Sequence, residues 1–309
     1  MRLGILDVGS NTVHLLVVDA EPGARPVPAA DVAWDSPLID HLDRDNILSD
    51  KGQRELIRIV DEAREKADRL GVADFSAFAT SALRDAANAD EVLERLRVES
   101  SIDVGVLEGD DEARLTFLAA RRWCGWSSGR LLVVDIGGGS LEIAAGADET
   151  PEHVASLPLG ARRLTREHLP GDPPAPKHVA ALREHVSAAV AARLRPFRSA
   201  QVDVSVGTSK TLRSLARVAG AASSSEGPYV RRVLRVDEAH NLVDKLSSLS
   251  AKDRAKLPGV SVRRAPQLLA GAVVAATTMS LLDLDELLIC PWALREGVFL
   301  TRQDWIVAF

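Results

Sequence analysis

Two short stretches of the chain hold the residue types that phosphate chemistry needs. Leu131–Glu142 reads LLVVDIGGGSLE, four apolar residues followed by an aspartate, three glycines and a serine. Leu131–Val134 has the length and β-branched content of a buried strand. Asp135 stands near its end, and Gly137, Gly138 and Gly139 let a ligand come close to backbone N–H groups. A returning strand is predicted over Leu141–Ala145, which brings Glu142 back near the turn. A strand-end carboxylate above a glycine turn suits a metal-bound phosphate. The alternative is an ordinary hairpin turn. The first eighteen residues repeat the device: the apolar run Leu3–Leu6, then Asp7-Val8-Gly9-Ser10-Asn11-Thr12, then Val13–Val18. A shift of 128 positions (135 minus 7) places Asp7 on Asp135, Gly9 on Gly137 and Thr12 on Ser140. Two hairpins of one design point to two domains of one design. Their turns can then face one another across a cleft, where ligands bind.

The elements around these turns follow from periodicity and punctuation. Ser49 and Asp50 cap a helix whose apolar residues Leu56, Ile59, Val60, Ala63, Ala67 and Leu70 keep helical spacing up to Gly71. A strand over Phe75–Ala79 leads into a polar turn, Thr80–Asp85, and a helix over Ala89–Arg97. After a short strand at Val104–Leu107, Gly109 and Asp110 open a helix with Glu112 in its first turn and Leu115, Leu118 and Ala119 on its buried side. The loop Trp126–Arg130 is the first domain break. The second half alternates in the same way: a strand at Val154–Leu159, an alanine-rich helix to about Arg195, and a strand at Val202–Val206. There, Gly207–Thr211 leads into a helix, and a loose serine-rich loop spans Ala221–Gly227. Helices are expected near 237–249 and 265–282, a strand over Leu287–Cys290, and a closing helix over Ala293–Arg302.

Composition removes several classes of function. At 309 residues the chain can hold two domains, and its hydrophobic and charged fractions of 46% and 27% are those of a soluble protein. A net charge of −6 argues against a broad nucleic-acid surface, so a polyanionic ligand would need local basic patches. Cys124 and Cys290 form no pairing pattern and suit a reducing cytoplasm. The seven histidines match no zinc spacing. The opening MRLGILDVGS builds no signal-peptide core. Leu268–Leu284, broken by Gly271, Thr277, Thr278 and Asp283, reads as a core helix rather than a membrane span.

The motifs DVGSNT (7–12), ATSALRDAAN (79–88), LEGDDEARL (107–115), VVDIGGGSLE (133–142), SLPLGARRLT (156–165), VGTSKTLRSLA (206–216) and LREGVF (294–299) run in order along nearly the whole chain. Together they resemble the exopolyphosphatase/guanosine pentaphosphate phosphatase family of the acetate kinase–sugar kinase–Hsp70–actin superfamily. The resemblance implies an α/β fold of two ribonuclease-H-like domains, of the actin-like ATPase superfamily, facing across a central cleft. Residues 1–124 plus 295–309 would form the first domain and 125–294 the second. The implied activity is Mg²⁺-dependent hydrolysis (with Mn²⁺ able to stand in) of the terminal phosphoanhydride of inorganic polyphosphate, here of short chains. The alternative is a guanosine pentaphosphate phosphohydrolase. The substrate is then polyphosphate or a guanosine alarmone, with no nucleic acid and no membrane as partners. A cytoplasmic homodimer is the implied assembly.

Carried over residue by residue, the resemblance makes Glu112 the general base, as the second acid of an EEA-like motif whose first acid here is Asp111. Without the resemblance, Glu112 is simply a favourable acid at a helix start. Arg84 matches a substrate-contacting arginine, and its fork suits two phosphate oxygens. Ser10, Asn11, Thr80, Ser81, Gly137, Gly138, Gly139 and Ser140 are phosphate contacts by motif. Asp135, Glu142 and Asp7 are the metal candidates, with Glu142 counted among the catalytic residues and Asp7 able to orient a water instead. Gly207, Thr208, Ser209 and Lys210 occupy the place where ATP-using relatives hold adenosine. Lys210 stands where this family usually has a small residue, which favours phosphate there over a base. The doublets Arg162/Arg163, Arg231/Arg232 and Arg263/Arg264 either line a path for a polyanion or are solvated surface charge. A superfamily kinase and a non-hydrolysing sensor are the competing classes. The acid at Glu112 favours water as the acceptor over the first, and the intact Glu112, Asp135 and Glu142 argue against the second.

Overall fold

The computed structural model describes residues 1–21, 25–198 and 201–307. It divides into two compact units, Met1–Glu112 with the closing segment from Leu294, and Ala113–Ala293. Each has its own hydrophobic core.

In the first unit, β1 (Arg2–Val8), β2 (Thr12–Asp19) and β3 (Pro28–Asp35) form an antiparallel meander. Part of the stretch Glu21–Pro37, residues 22–24, lies outside the described residues. Helix α1 (Asp50–Arg69) starts where the sequence places it, with Ser49 Oγ accepting from the Gly52 N–H at 3.3 Å. It buries Leu56, Ile59, Val60, Ala63 and Ala67. β4 (Asp74–Ala79) joins β1 in parallel. The polar turn expected after it is instead one helical turn, α2 (Ser81–Arg84): its Arg84 and Asp85 N–H groups bond back to the Thr80 and Ser81 carbonyls. α3 (Ala89–Ser100) leads to β5 (Val104–Val106), parallel to β4. The sheet order is β3-β2-β1-β4-β5.

Helix α4 (Gly109–Cys124) is continuous, and the units divide inside it after Glu112, whereas the sequence suggested a break after Cys124. The reason lies in what its later turns touch. Phe117 is fully buried near Gly146, and buried Arg121 donates to the carbonyls of Gly125, Gly129 and Gly146. Of the side expected to be buried, Ala119 is, whereas Leu115 and Leu118 are only half-buried, and Ala113, Phe117 and Ala120 complete the buried face.

The second unit opens on β6 (Leu131–Ile136), β7 (Leu141–Gly146) and β8 (His153–Leu157), again an antiparallel meander. A helix that the sequence reading lacked, α5 (Ala161–His168), precedes α6 (Pro176–Ala191), which ends before the expected Arg195, and α7 (Arg195–Arg198). β9 (Val204–Gly207) pairs with β6 in parallel and feeds α8 (Ser209–Ala219). The serine-rich stretch is tied down. Ser223 and Glu226 form a capping box, and Arg232 donates to the carbonyls of Ala222, Ser223 and Gly227. β10 (Val233–Arg235), also unforeseen, is an edge strand of three residues. α9 (Val236–Ser247), α10 (Ala251–Arg254) and α11 (Leu268–Leu281) follow, then β11 (Glu286–Ile289). α11 buries every residue from Leu268 to Met279, as a helix apolar all round must.

The second sheet is ordered β10-β11-β9-β6-β7-β8. Without the edge strand it repeats the order and sense of the first, and both are ribonuclease-H-like sheets. α12 (Leu294–Val307) belongs to the first unit, where Arg302 pairs with Asp74 and Gln303 donates to the Glu21 carbonyl.

Candidate active-site residues in the two units

In the first unit the Asp7–Thr12 turn is closed by the Gly9 N–H, which donates to the Thr12 carbonyl at 3.0 Å. Buried Ser10 meets buried Ser81 hydroxyl to hydroxyl at 2.9 Å, joining the turn to the start of α2. Asn11 and Thr80 are buried beside them in sequence. At the end of α2, Arg84 donates to the Leu107 carbonyl at 2.9 Å and forms an ion pair with Glu112, 28 residues away. Glu112 is 7% exposed, and the Arg84 side chain 16%. A charge pair this far from water is costly to break, because the partner left behind stays buried and uncompensated.

Asp7 has different company. Its cross-strand partner is His14, not a second carboxylate. Arg295 Nη1 lies 3.3 Å from His14 Nδ1 and 3.0 Å from Asp31. Burial works against the Arg295 charge, but Glu296, Asp7 and Asp31 outweigh it and the guanidinium stays ionised. The His14 ring and Arg295 hold the Asp31 carboxyl well below the usual carboxylate range, against its partial burial.

In the second unit Asp135 and Glu142 are direct partners across β6 and β7, so their side chains leave the same face of the sheet. Glu142 is buried and accepts from Ser156 Oγ on β8 at 2.9 Å. Thr208, which precedes α8, donates its hydroxyl to Asp135. Burial raises the Asp135 pKa above its ordinary value, with the Thr208 hydroxyl and the Arg213 charge pulling the other way. Among the described residues no group of three or more His, Cys, Asp or Glu side chains converges. A divalent ion would therefore rest on this carboxylate pair plus ligand and water oxygens, the donor set that Mg²⁺ prefers.

The glycine turn is built around α5. The Gly137 N–H closes it on the Ser140 carbonyl at 2.9 Å, so that amide is not available to a ligand. The Gly137 and Gly138 carbonyls accept from the N–H groups of Ala161, Arg162 and Arg163 at 3.0–3.1 Å. Arg163 Nε takes the Gly139 carbonyl at 2.9 Å. With the carbonyls drawn to α5, the Gly138 and Gly139 N–H groups have no protein acceptor among the described residues and are free for an anion. Gly160 makes this possible: a Cβ there would overlap the backbone of Gly138 and Gly139. Gly160→Ala is expected to displace the turn and lower kcat/KM at least ten-fold, with a stability loss of about 1–3 kcal/mol from overpacking. Steady-state assays and thermal melts of the variant check both.

The two hairpins coincide more deeply than their sequences suggest. Gly9 and Gly137 make the same turn bond, three residues on, at the same 128-position offset. That offset also lays Thr80 and Ser81 on Thr208 and Ser209, an overlay visible in the sequence but passed over there. Their settings differ by a two-residue slip of register: Val8 lies opposite Ala79, whereas Val134 lies opposite Gly207. The slip brings the Thr208 hydroxyl onto Asp135, while in the first unit Ser81 meets Ser10 instead. Ser209 takes φ +67°, the left-handed region, a strain of about 1–3 kcal/mol that concentrates at functional turns. Lys210 follows it and lines a separate pocket of the same unit. Of the arginine doublets, Arg163 fixes the glycine turn, Arg231 pairs with Glu286, and Arg232 clamps the serine-rich stretch.

Comparison with known proteins agrees with this architecture. A model of the Ppx/GppA phosphatase family matches residues 36–304. Exopolyphosphatase 1 of Mycobacterium tuberculosis (strain ATCC 25618 / H37Rv) is 50% identical over 305 residues, 98% of this chain and 89% of that protein. The crystal structure of an exopolyphosphatase from Cytophaga hutchinsonii has the same fold, with a TM-score of 0.88 at 22% identity and 98% of each chain covered. The Aquifex aeolicus PPX-GPPA enzyme superposes with a TM-score of 0.79 at 28% identity, covering 97% of this chain and 99% of that one. By its sequence along nearly its whole length, and by its paired ribonuclease-H-like units, the chain belongs to the Ppx/GppA phosphatase family.

Proposed function

We propose that the protein is an exopolyphosphatase that removes orthophosphate from the end of inorganic polyphosphate, with short chains as its preferred substrates. The observation that carries this reading is the 50% identity, over 98% of the chain, to a relative of that name. The site residues supply a consistent chemistry. In the first unit the terminal phosphate joins Glu112 and Asp85 as an anionic partner of Arg84, whose fork can take two phosphate oxygens. One Glu112 oxygen is thereby released to accept a proton from water. The water oxygen bonds to the terminal phosphorus, the bridging P–O bond opposite it breaks, and the shortened chain leaves with the electron pair. Ser10, Asn11, Thr80 and Ser81 add donors around this phosphate.

In the second unit the Gly138 and Gly139 amides and Ser140 hold phosphate oxygens. Thr208 holds Asp135 through its hydroxyl, and Gly207, Ser209 and Lys210 beside it are further candidates for substrate contact. Asp135 and Glu142 would hold Mg²⁺, or Mn²⁺ in its place, which neutralises phosphate charge when bound. Asp7, beside His14 and Arg295, fits a water-orienting acceptor better than a metal ligand. A cytoplasmic homodimer completes the proposal, and sedimentation of the purified protein tests the dimer.

A substrate panel tests the activity: polyphosphates of several lengths, guanosine pentaphosphate and ATP, each assayed for free phosphate. Polyphosphate is expected to give the highest kcat/KM without any nucleotide. Preference for guanosine pentaphosphate, a need for a nucleotide, or binding without phosphate release would each contradict it.

A further inference from the structure

Four residues stand in one row across the second sheet: Ser156 on β8, Glu142 on β7, Asp135 on β6 and Thr208 just past β9. Glu142 is the direct partner of Ser156 on one side and of Asp135 on the other. Thr208 stands one residue beyond the last pair of β6 with β9, Val134 with Gly207, and keeps an extended backbone. Its N–H donates to the Val134 carbonyl at 3.0 Å. Residues in one row leave the same face of a sheet. The row therefore reads hydroxyl, carboxylate, carboxylate, hydroxyl.

Both hydroxyls are bonded inward along it. Ser156 Oγ donates to Glu142 Oε1 at 2.9 Å, and Thr208 Oγ1 donates to Asp135 Oδ2. Glu142 is buried, Thr208 fully so, and Ser156 is half-buried. A bond from the outer neighbour fixes how each carboxylate is rotated. A hydroxyl does this without adding a positive charge that would compete with a bound cation. The first unit supplies a contrast. Its row at the same place is Ala33, His14, Asp7 and Phe78. That row has one carboxylate and neither hydroxyl, so the hydroxyls accompany the carboxylate pair rather than the fold.

We propose that Ser156 and Thr208 are positioning residues for a divalent-ion site on Asp135 and Glu142, each hydroxyl setting one carboxylate for the ion. The inference rests on the assignment of the ion to that pair. Groups that orient a metal ligand typically matter about 10–100-fold in metal affinity.

Mn²⁺ binding, followed by electron paramagnetic resonance of the free ion with no phosphate present, tests the proposal. Ser156→Ala and Thr208→Val are expected to bind Mn²⁺ about ten-fold more weakly than wild type, and Ser156→Thr and Thr208→Ser to recover most of the loss. The ion concentration that half-activates phosphate release should rise by a similar factor, with most of kcat returning at saturating ion. Melts of the ion-free variants report folding, and the half-buried Ser156 decides the matter alone if Thr208→Val does not fold. Wild-type Mn²⁺ affinity in Ser156→Ala, with that of Asp135→Asn reduced, would overturn the hydroxyl's role and leave the ion on the carboxylates. Wild-type affinity in Asp135→Asn would overturn the ion site itself. Weaker binding of orthophosphate by Ser156→Ala, with Mn²⁺ affinity unchanged, would make Ser156 a phosphate contact instead.

Discussion

Glu112→Gln is expected to lower kcat on polyphosphate by roughly 10²–10⁴ while leaving KM unchanged or slightly lower. The two effects have separate origins. Glutamine keeps the shape and one acceptor oxygen but cannot take a proton, so the attacking water loses its base. Arg84 meanwhile loses the carboxylate that competes with phosphate for its guanidinium, so binding should not suffer. Because the Glu112 carboxylate is the more buried of the two that Arg84 meets, leaving it only the more exposed Asp85 at 3.3 Å, the variant should melt somewhat lower without ligand. Phosphate should restore more of its melting temperature than it adds to wild type, since the anion then supplies what Glu112 did. Steady-state kinetics and melts with and without phosphate check both halves. An undiminished kcat would remove Glu112 from the role of base. A lowered kcat with a KM raised in proportion would make it a binding residue instead.

The second large effect belongs to Asp135→Asn, with an expected fall in kcat/KM of about 10²–10³. The amide oxygen can still accept from Thr208, so the local fold should persist. What changes is charge. Asp135 and Glu142 share one face of the hairpin, and burial already disfavours the charged form of Asp135. Replacing Asp135 removes a charge that burial disfavours, so the metal-free variant should melt as high as wild type or higher. With the ion on this pair, Mg²⁺ is expected to raise the melting temperature of wild type and not that of the variant. The Mg²⁺-dependent shift in melting temperature therefore separates loss of an ion site from general damage. Persistence of that shift in the variant would place the ion elsewhere, and then Asp7 would need testing in the same way.

The readable part of this molecule was what local chemistry writes into the chain. The turns at 7–12 and 135–140 announced themselves because glycine and small polar residues mark a backbone geometry, and their common offset survives as an identical hydrogen bond. Glu142 opposite Asp135 is a matter of counting through a tight hairpin. α1 was legible because Ser49 caps it and its apolar stripe keeps helical spacing. The rest depends on tertiary placement. Nothing near Arg84 names Glu112 as its partner, since that pairing is made by the way α2 and α4 pack. Gly160 is one glycine among many until the backbone of Gly138–Gly139 is seen against it. The register slip that separates Thr80 from Thr208 leaves no trace in either sequence. The units divide at Glu112, ahead of the expected Cys124, for a related reason: a buried arginine, Arg121, anchors the end of α4 into the second unit, and burial of an arginine is not something composition suggests.

The central claim is end-wise hydrolysis of polyphosphate by water, and product analysis over time tests it most directly. The purified protein is incubated with polyphosphate of defined length and Mg²⁺, with no nucleotide present, and the products are resolved by size. Orthophosphate and chains shortened from the end are expected, with no fragments from the middle of the chain at early times. Mid-chain fragments, or no orthophosphate at all, would contradict the account.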